Sequence, residues 1–162
     1  MYLTYIIIGV TTLVSLYAMK TPAVLSAFMM NPYYTHRHQQ YYRFISSGFI
    51  HKDHTHLLWN MLSLYFFGTA IEREIHLLFV SSGALYFIAL YILAIIISDL
   101  PTYFKHRDHP AYNSLGASGG VSAVIFAFII FEPLADICLY FAICMPGFIL
   151  GALYIIFSWY QG

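Results

Sequence analysis

The chain has 162 residues, of which 60% are hydrophobic and only 9% are charged. Soluble domains carry about 25% charged residues, so this much apolar surface cannot be buried in one small soluble core. Lysines plus arginines equal aspartates plus glutamates, and the resulting zero net charge excludes the basic footprint of a nucleic-acid-binding protein. The composition predicts an integral membrane protein whose solvent is a lipid bilayer.

Long apolar segments predict membrane-spanning helices, which need roughly 20 mostly apolar residues. The predicted spans are 2–19, 57–71, 77–98, 114–131 and 137–162. Tight turns are predicted at 72–76 and 132–136, with a short interfacial run at 134–143. Pro146 predicts that the last helix begins near the proline or bends there.

The two ends of the chain carry further signals. The first cation, Lys20, follows the first apolar segment, which favours a retained membrane helix over a cleaved signal peptide. Near the other end, Cys138 and Cys144 have no metal-like spacing, and we expect two buried free thiols. Between the first two spans, residues 20–53 mix cations and histidines with many aromatic rings. Membrane interfaces select this mixture, so we expect an ordered loop in the headgroup region.

Helices joined by such turns alternate in direction, so the second and fourth spans run the same way. Their N-terminal ends carry His56 and Ser118, which we therefore expect on the same side of the membrane. His56 and Asn60 are four residues apart and share one helix face. Polar residues inside a membrane helix are costly and face a cavity or a partner. The alternative is that Asn60 only hydrogen-bonds a neighbouring helix.

Ser118 stands between glycines in the segment Gly116-Ala117-Ser118-Gly119-Gly120. Such a serine allows another helix to bring a base within hydrogen-bond reach, as activation of a nucleophile requires. The alternative is close helix packing, because small residues recur along one face of this span. That face contains Gly116, Gly120, Ala123 and Ala127.

These motifs, in this order, resemble the rhomboid family of intramembrane serine proteases. The matching runs are 43–51 (RFISSGFIH), 56–61 (HLLWNM), 68–72 (GTAIE) and 116–119 (GASG). The resemblance extends from the first helix through the fifth. It implies an all-α, polytopic transmembrane helical bundle, with five of the six core helices present in a domain over residues 1–162 that is incomplete at its C-terminus.

The resemblance also implies roles for individual residues. Ser118 would be the nucleophile of an intramembrane serine endopeptidase, and the side chains of His56 and Asn60 would stabilise the oxyanion together with the Ser118 backbone N–H. The substrates would be single-span membrane proteins, with no metal or cofactor. The histidine base of the family lies on a sixth helix, whereas no histidine follows His109 here. We therefore expect the chain to be part of a longer protein.

Other interpretations of the histidines remain open. The candidates for a substitute base, which we expect to be interfacial polar residues, are His51, His54, His106 and His109. A catalytically inactive rhomboid-like protein that binds transmembrane segments is the principal alternative. A metal or ion carrier is a third, through the pairs His36/His38 and His54/His56, since imidazole is a common metal ligand.

The cations do not agree with the family about orientation. Those on the Ser118 side are Lys20, Arg37, Arg43, Lys52, Lys105 and Arg107, with Arg73 opposite. The positive-inside rule would place the site in the cytoplasm, whereas the resemblance implies the extracytoplasmic face. Following the resemblance, we expect a multi-pass protein of a bacterial inner membrane with an extracytoplasmic site.

Overall fold

The computed structural model describes residues 3–139 and 142–161, most of them in helices. The helices are α1 (Leu3–Lys20), α2 (Pro22–Phe28), α3 (Pro32–Arg37), α4 (Arg43–Ser46), α5 (His54–Ser63), α6 (Thr69–Leu78), α7 (Gly83–His106), α8 (Ser118–Phe131) and α9 (Gly147–Gln161). The chain forms two compact units, divided after Val124. Tyr2 and Gly162, the predicted limits of the first and last spans, lie outside the described residues.

The first helix has the inverted polarity of a membrane helix. Its buried residues are small or polar: Thr4, Thr11, Ser15 and Ala18. Its large apolar residues are exposed, at Ile6, Val10, Leu13 and Tyr17. Small residues allow helices to approach closely in lipid, where apolar side chains gain nothing from being buried. Within the described residues, α1 and α7 are long and apolar enough to cross a membrane.

The second long helix runs without a break from His54 to Leu78, because a π-helical segment, Leu64–Gly68, joins α5 to α6. The predicted turn at 72–76 is therefore wrong. Glu72, which suggested that turn, is buried and accepts hydrogen bonds from the Leu3 N–H, the Thr4 N–H and the Thr4 hydroxyl. These donors at the start of α1 have no partner within their own helix, so a carboxylate from α6 satisfies them.

The third long helix also differs from its predicted limits of 77–98. The chain turns between Phe79 and Ser82, and α7 then continues past Ser98 to His106. Its buried residues follow an i, i+4 spacing that gives α7 one inward face: Gly83, Phe87, Tyr91 and Ile95. Pro101 lies inside the helix without ending it. Apolarity marked this segment correctly, but it did not mark where the helix ends.

The loop between α1 and α5 is folded, in agreement with the expected ordered loop. It contains α2, α3, α4 and the 3-10 helix Ser47–Phe49. Pro22 and Pro32 stand at the starts of α2 and α3, where a missing N–H costs nothing. Arg43 is buried, and its guanidinium donates to the carbonyls of Ser26 and Met29 at 2.9 and 2.6 Å. One buried cation therefore joins α4 to α2 and to Met29, the residue that follows α2.

The second unit contains a β-hairpin that the sequence analysis did not predict. Strands β1 (Asp136–Leu139) and β2 (Ile143–Pro146) pair antiparallel, with Cys138 opposite Cys144. These cysteines form a disulfide, so the expectation of two free thiols is wrong. Within the predicted interfacial run at 134–143, residues 136–139 form β1 and Ile143 begins β2. Helix α9 begins at Gly147, directly after Pro146, as predicted.

Candidate active site

The segment before Ser118 is extended rather than helical, although the sequence predicted a helix from residue 114. Ser114 pairs with Met30 in an isolated antiparallel bridge, with both N–H···O distances at 2.9 Å. Gly116 has φ +123°, a conformation that favours glycine. Helix α8 then begins at Ser118. The serine thus stands at the first turn of a helix, where backbone N–H groups have no helical partner.

His56 lies directly against this segment. A Cβ added to Gly116 would lie 2.7 Å from Cε1 of His56 and 3.1 Å from its Nε2. A side chain at position 116 would therefore displace the imidazole from its place next to the main chain. The structure therefore brings the start of α5 and the approach to Ser118 together, as the predicted helix directions required.

Asn60 follows His56 by one turn and is 8% exposed. Its Nδ2 donates to the carbonyl of His56 at 2.9 Å. At the start of the same helix, the Asp53 side chain caps α5 by accepting from the His56 N–H at 2.8 Å, and this hydrogen bond lowers the pKa of Asp53. Hydrogen bonds to both the N–H and the carbonyl of His56 thus fix its main chain, and this determines where the imidazole lies.

His51 is fully buried, so the expectation of an interfacial polar residue is wrong. Its Nε2 accepts from the Ala117 N–H at 3.3 Å, which assigns the ring proton to Nδ1. Nδ1 then donates to the Ser15 hydroxyl at 2.9 Å, and that hydroxyl donates to the Phe49 carbonyl at 3.1 Å. A continuous chain of hydrogen bonds therefore runs from α1 to the residue before Ser118.

The environment of His51 keeps its imidazole neutral. Burial lowers its pKa from 6.5 to about 4, and His56, with ring centroids 5.0 Å apart, acts in the same direction while Asp53 opposes it. A neutral ring is required for Nε2 to accept from Ala117, because an imidazolium has two donors and no acceptor. His51 therefore holds the main chain before Ser118 and has no nitrogen available to take a proton from it.

Ser118 itself is exposed, unlike its neighbour Ala117, which is buried. Among the described residues its hydroxyl has no hydrogen-bond partner. The site thus contains a serine at a helix start, His56 against the preceding turn, and Asn60 one turn along α5.

Comparison with known sequences decides the family. The family model described as the Rhomboid domain matches residues 38–161, about three quarters of the chain. The chain belongs to the rhomboid family. The match includes the loop motif from Arg43, the α5 motif and the segment around Ser118, all of which the sequence analysis had assigned to this family.

A curated relative extends the comparison. The chain is 32% identical over 115 residues to RHOMBOID-like protein 12, mitochondrial, of Arabidopsis thaliana. The aligned region covers 66% of this chain and 34% of that protein, so the chain spans about a third of the relative's length. This rhomboid is a membrane protein. The relative is mitochondrial, so the expectation of a bacterial inner membrane has no support.

The glycines after Ser118 pack against α7 in this rhomboid. A Cβ on Gly119 would collide with the Ser98 side chain, and one on Gly120 would lie 2.7 Å from the Tyr91 ring. Helix packing and the serine site therefore use neighbouring glycines: Gly119 and Gly120 face α7, whereas Gly116 accommodates His56. These contacts support the packing interpretation, whereas the catalytic interpretation of Ser118 stays a prediction.

Two residues that the sequence analysis did not single out also hold the site. The Ser47 carbonyl accepts from the Gly116 N–H at 2.9 Å, and the Ser47 hydroxyl donates to Oδ2 of Asp99 at 3.1 Å. Asp99 lies in α7, one residue beyond the predicted limit of that span, so the sequence placed it outside the membrane-spanning helix. Ser47 belongs to the matched loop motif, which the resemblance did not translate into a role.

Four of the remaining histidine candidates have other partners, namely His36, His38, His106 and His109. His36 Nδ1 lies 3.2 Å from the Tyr103 hydroxyl, and His38 stacks on Tyr34. His106 and His109 lie together, with their Nδ1 atoms 3.1 Å apart. Within residues 3–139 and 142–161, no group of three or more His, Cys, Asp or Glu residues is arranged to hold a metal ion. The metal-carrier interpretation thus receives no support from the described residues.

Proposed function

We propose that this chain supplies the nucleophile and the oxyanion donors of a rhomboid-type intramembrane serine endopeptidase. Ser118 attacks a peptide carbonyl in a transmembrane segment of a membrane protein. The side chains of His56 and Asn60, with the Ser118 backbone N–H, donate to the resulting oxyanion. The contact of His56 with Gly116 carries the proposal, because it brings a side-chain donor next to the turn from which Ser118 emerges.

The proposed base is a histidine that this chain does not contain. His51 is neutral, and both of its ring nitrogens are engaged with Ser15 and Ala117. His106 and His109 interact with each other. A serine without a base is a weak nucleophile at neutral pH, and general-base catalysis contributes about 10²–10⁴ in rate.

The test compares the chain alone with the chain extended after Gly162 by an apolar helix that carries a histidine. Both are reconstituted in lipid with a single-span substrate that is labelled on one side. We expect cleavage only by the extended form and no cleavage after Ser118→Ala. In the extended form, His56→Ala and Asn60→Ala should each lower turnover by about 10²–10³, as removal of an oxyanion donor does. Ser118-dependent cleavage by the chain alone would contradict an external base.

A second candidate is a rhomboid-like protein that binds transmembrane segments without cutting them. The observation that favours it is the exposed Ser118, whose hydroxyl has no partner in the described part of the chain. Photo-crosslinking of the labelled substrate separates the candidates. Crosslinking without cleavage by the extended form would support the binding protein, and cleavage would support the endopeptidase.

A further inference from the structure

The loop between α1 and α5 holds the segment that leads to Ser118 by main-chain hydrogen bonds at two of its residues, Ser114 and Gly116. Met30 and Ser114 exchange two main-chain hydrogen bonds, and Ser47 accepts from the Gly116 N–H. The side chain of Ser114 adds nothing to this, because its Oγ is buried and has no partner among the described residues. The position of the segment therefore depends on main-chain bonds and on the loop side chains that reach it.

Asn31 is the loop side chain that reaches the earlier part of this segment. It is 3% exposed, and its Nδ2 donates to the Pro110 carbonyl at 2.9 Å and to Oδ1 of Asn113 at 3.0 Å. Its Oδ1 accepts from the Tyr34 N–H at 2.9 Å and so caps α3. Two acceptors on one side and one donor on the other fix the orientation of the amide.

We propose that Asn31 is a positioning residue for the nucleophile segment. Its acceptor oxygen sets the start of α3, while its amide group fixes residues 110–113, directly before the Met30–Ser114 bridge. The loop helix and the approach to Ser118 are thereby held to one side chain. The proposal takes from the proposed function only the role of Ser118.

Only asparagine performs both tasks at this position. Aspartate is an equally good N-cap residue and keeps the bond from the Tyr34 N–H. It has no donor, however, so the Pro110 carbonyl and Oδ1 of Asn113 would face a carboxylate at hydrogen-bond distance. Asn31→Asp therefore separates the capping of α3 from the attachment of the segment before Ser118.

The experiment measures amide hydrogen exchange on the intact chain in lipid nanodiscs, with wild type and Asn31→Asp compared. We expect the Ser114, Gly116 and Ala117 amides to exchange about ten-fold faster in the variant, because the loss of paired donors opens the segment locally. The Tyr34 amide and the amides of α1 and α6 should be unchanged. Because this readout requires no proteolysis, it is independent of whether the proposed endopeptidase activity is found.

Two further variants complete the design. Thr35→Val is the matched control, since it removes the bonds from the Thr35 hydroxyl to the Asn31 carbonyl at 2.8 Å and to Sδ of Met30 at 3.7 Å. It leaves the Asn31 amide and the main chain of Met30 in place. It should leave the exchange of Ser114, Gly116 and Ala117 unchanged. Asn113→Ala removes one acceptor and should accelerate the same three amides by a smaller factor, about three-fold. Unchanged exchange there in Asn113→Ala, or in Asn31→Asp, or equal acceleration across the whole chain, would overturn the proposal.

Discussion

Two buried polar networks hold α1, one at each end, and they are built differently. At the start of α1, Glu72 accepts from the Leu3 and Thr4 N–H groups and from the Thr4 hydroxyl. Near its other end, Ser15 receives a hydrogen bond from His51, whose ring also accepts from the Ala117 N–H. The first network joins two helices through a carboxylate. The second joins α1 to the candidate site through a neutral ring.

The difference separates stability from positioning. A carboxylate that gathers several donors makes strong hydrogen bonds and fixes α1 against α6. A neutral imidazole with one donor and one acceptor contributes less, but it transmits position from a rigid helix to the main chain at Ala117. The strong network lies away from the candidate site, and the weaker, directional one lies at it.

The largest effect should come from Glu72→Ala. Its removal leaves the donors of Leu3 and Thr4 without their buried acceptor, and we expect a loss of about 3–5 kcal/mol in the free energy of unfolding. Glu74→Ala is the matched control, with the same charge change two residues along α6 and outside this network. It should cost under about 1 kcal/mol. Denaturant titration in mixed micelles measures both, and equal losses would contradict the role of Glu72.

His51→Phe should have a smaller effect on stability and a local effect at the site. It leaves the Ala117 N–H without its acceptor, and we expect a loss of about 2–3 kcal/mol with faster exchange of that amide. Ser15→Ala removes the hydroxyl that accepts from His51 and donates to the Phe49 carbonyl, but it keeps the acceptor of the Ala117 N–H. It should cost about 1 kcal/mol while Ala117 stays protected. If both variants released Ala117 equally, the ring would not be the element that holds it.

Prediction from sequence succeeded where the signal was local. The spacing of His56 and Asn60 placed them on one face, and the apolar runs located the long helices. The predicted helix limits were wrong where a hydrogen-bond partner far away in the sequence determines the local structure. Glu72 was predicted to begin a turn, because its partners lie 68 and 69 residues away on α1 and no local pattern indicates them.

The candidate site shows the same division. Motifs predicted Ser118, His56 and Asn60 as site residues, and these roles stay predictions. The burial of His51 was not predicted, because its bond to Ala117 spans 66 residues. The role of Asn31 was likewise hidden, since Pro110 lies 79 residues away. No local pattern in a single sequence reports which loop side chain meets which main-chain atom.

Acid should weaken the network of His51. Its pKa is about 4 in the folded chain and 6.5 without burial, so the unfolded chain binds the proton first as pH falls. The stability contribution is therefore complete above about pH 6.5 and is lost as pH falls from there towards 4. At pH 5 the loss should be about 2 kcal/mol.

Of the groups near His51, His56 lowers the pKa of the His51 imidazole and Asp53 raises it. Between pH 7 and 5, the free energy of unfolding should fall by about 2 kcal/mol less in His51→Gln than in the wild type. An equal fall in both proteins would contradict a buried neutral His51.

The smallest effect should come from Ser114→Ala, and its sign tests how the segment before Ser118 is held. The Ser114 hydroxyl is buried and has no partner in the described residues, so its removal sacrifices no hydrogen bond and relieves a desolvated polar group. The main-chain bonds to Met30 do not involve the side chain and should persist. We expect the free energy of unfolding to stay the same or rise by up to about 1 kcal/mol, with unchanged exchange at Gly116.

Ser46→Ala is a suitable comparison, since it removes a hydroxyl that donates to the Phe28 carbonyl at 2.9 Å. That variant should lose about 1 kcal/mol. A loss of that size in Ser114→Ala would show that its hydroxyl has a partner, and that side chains as well as the main chain hold the segment.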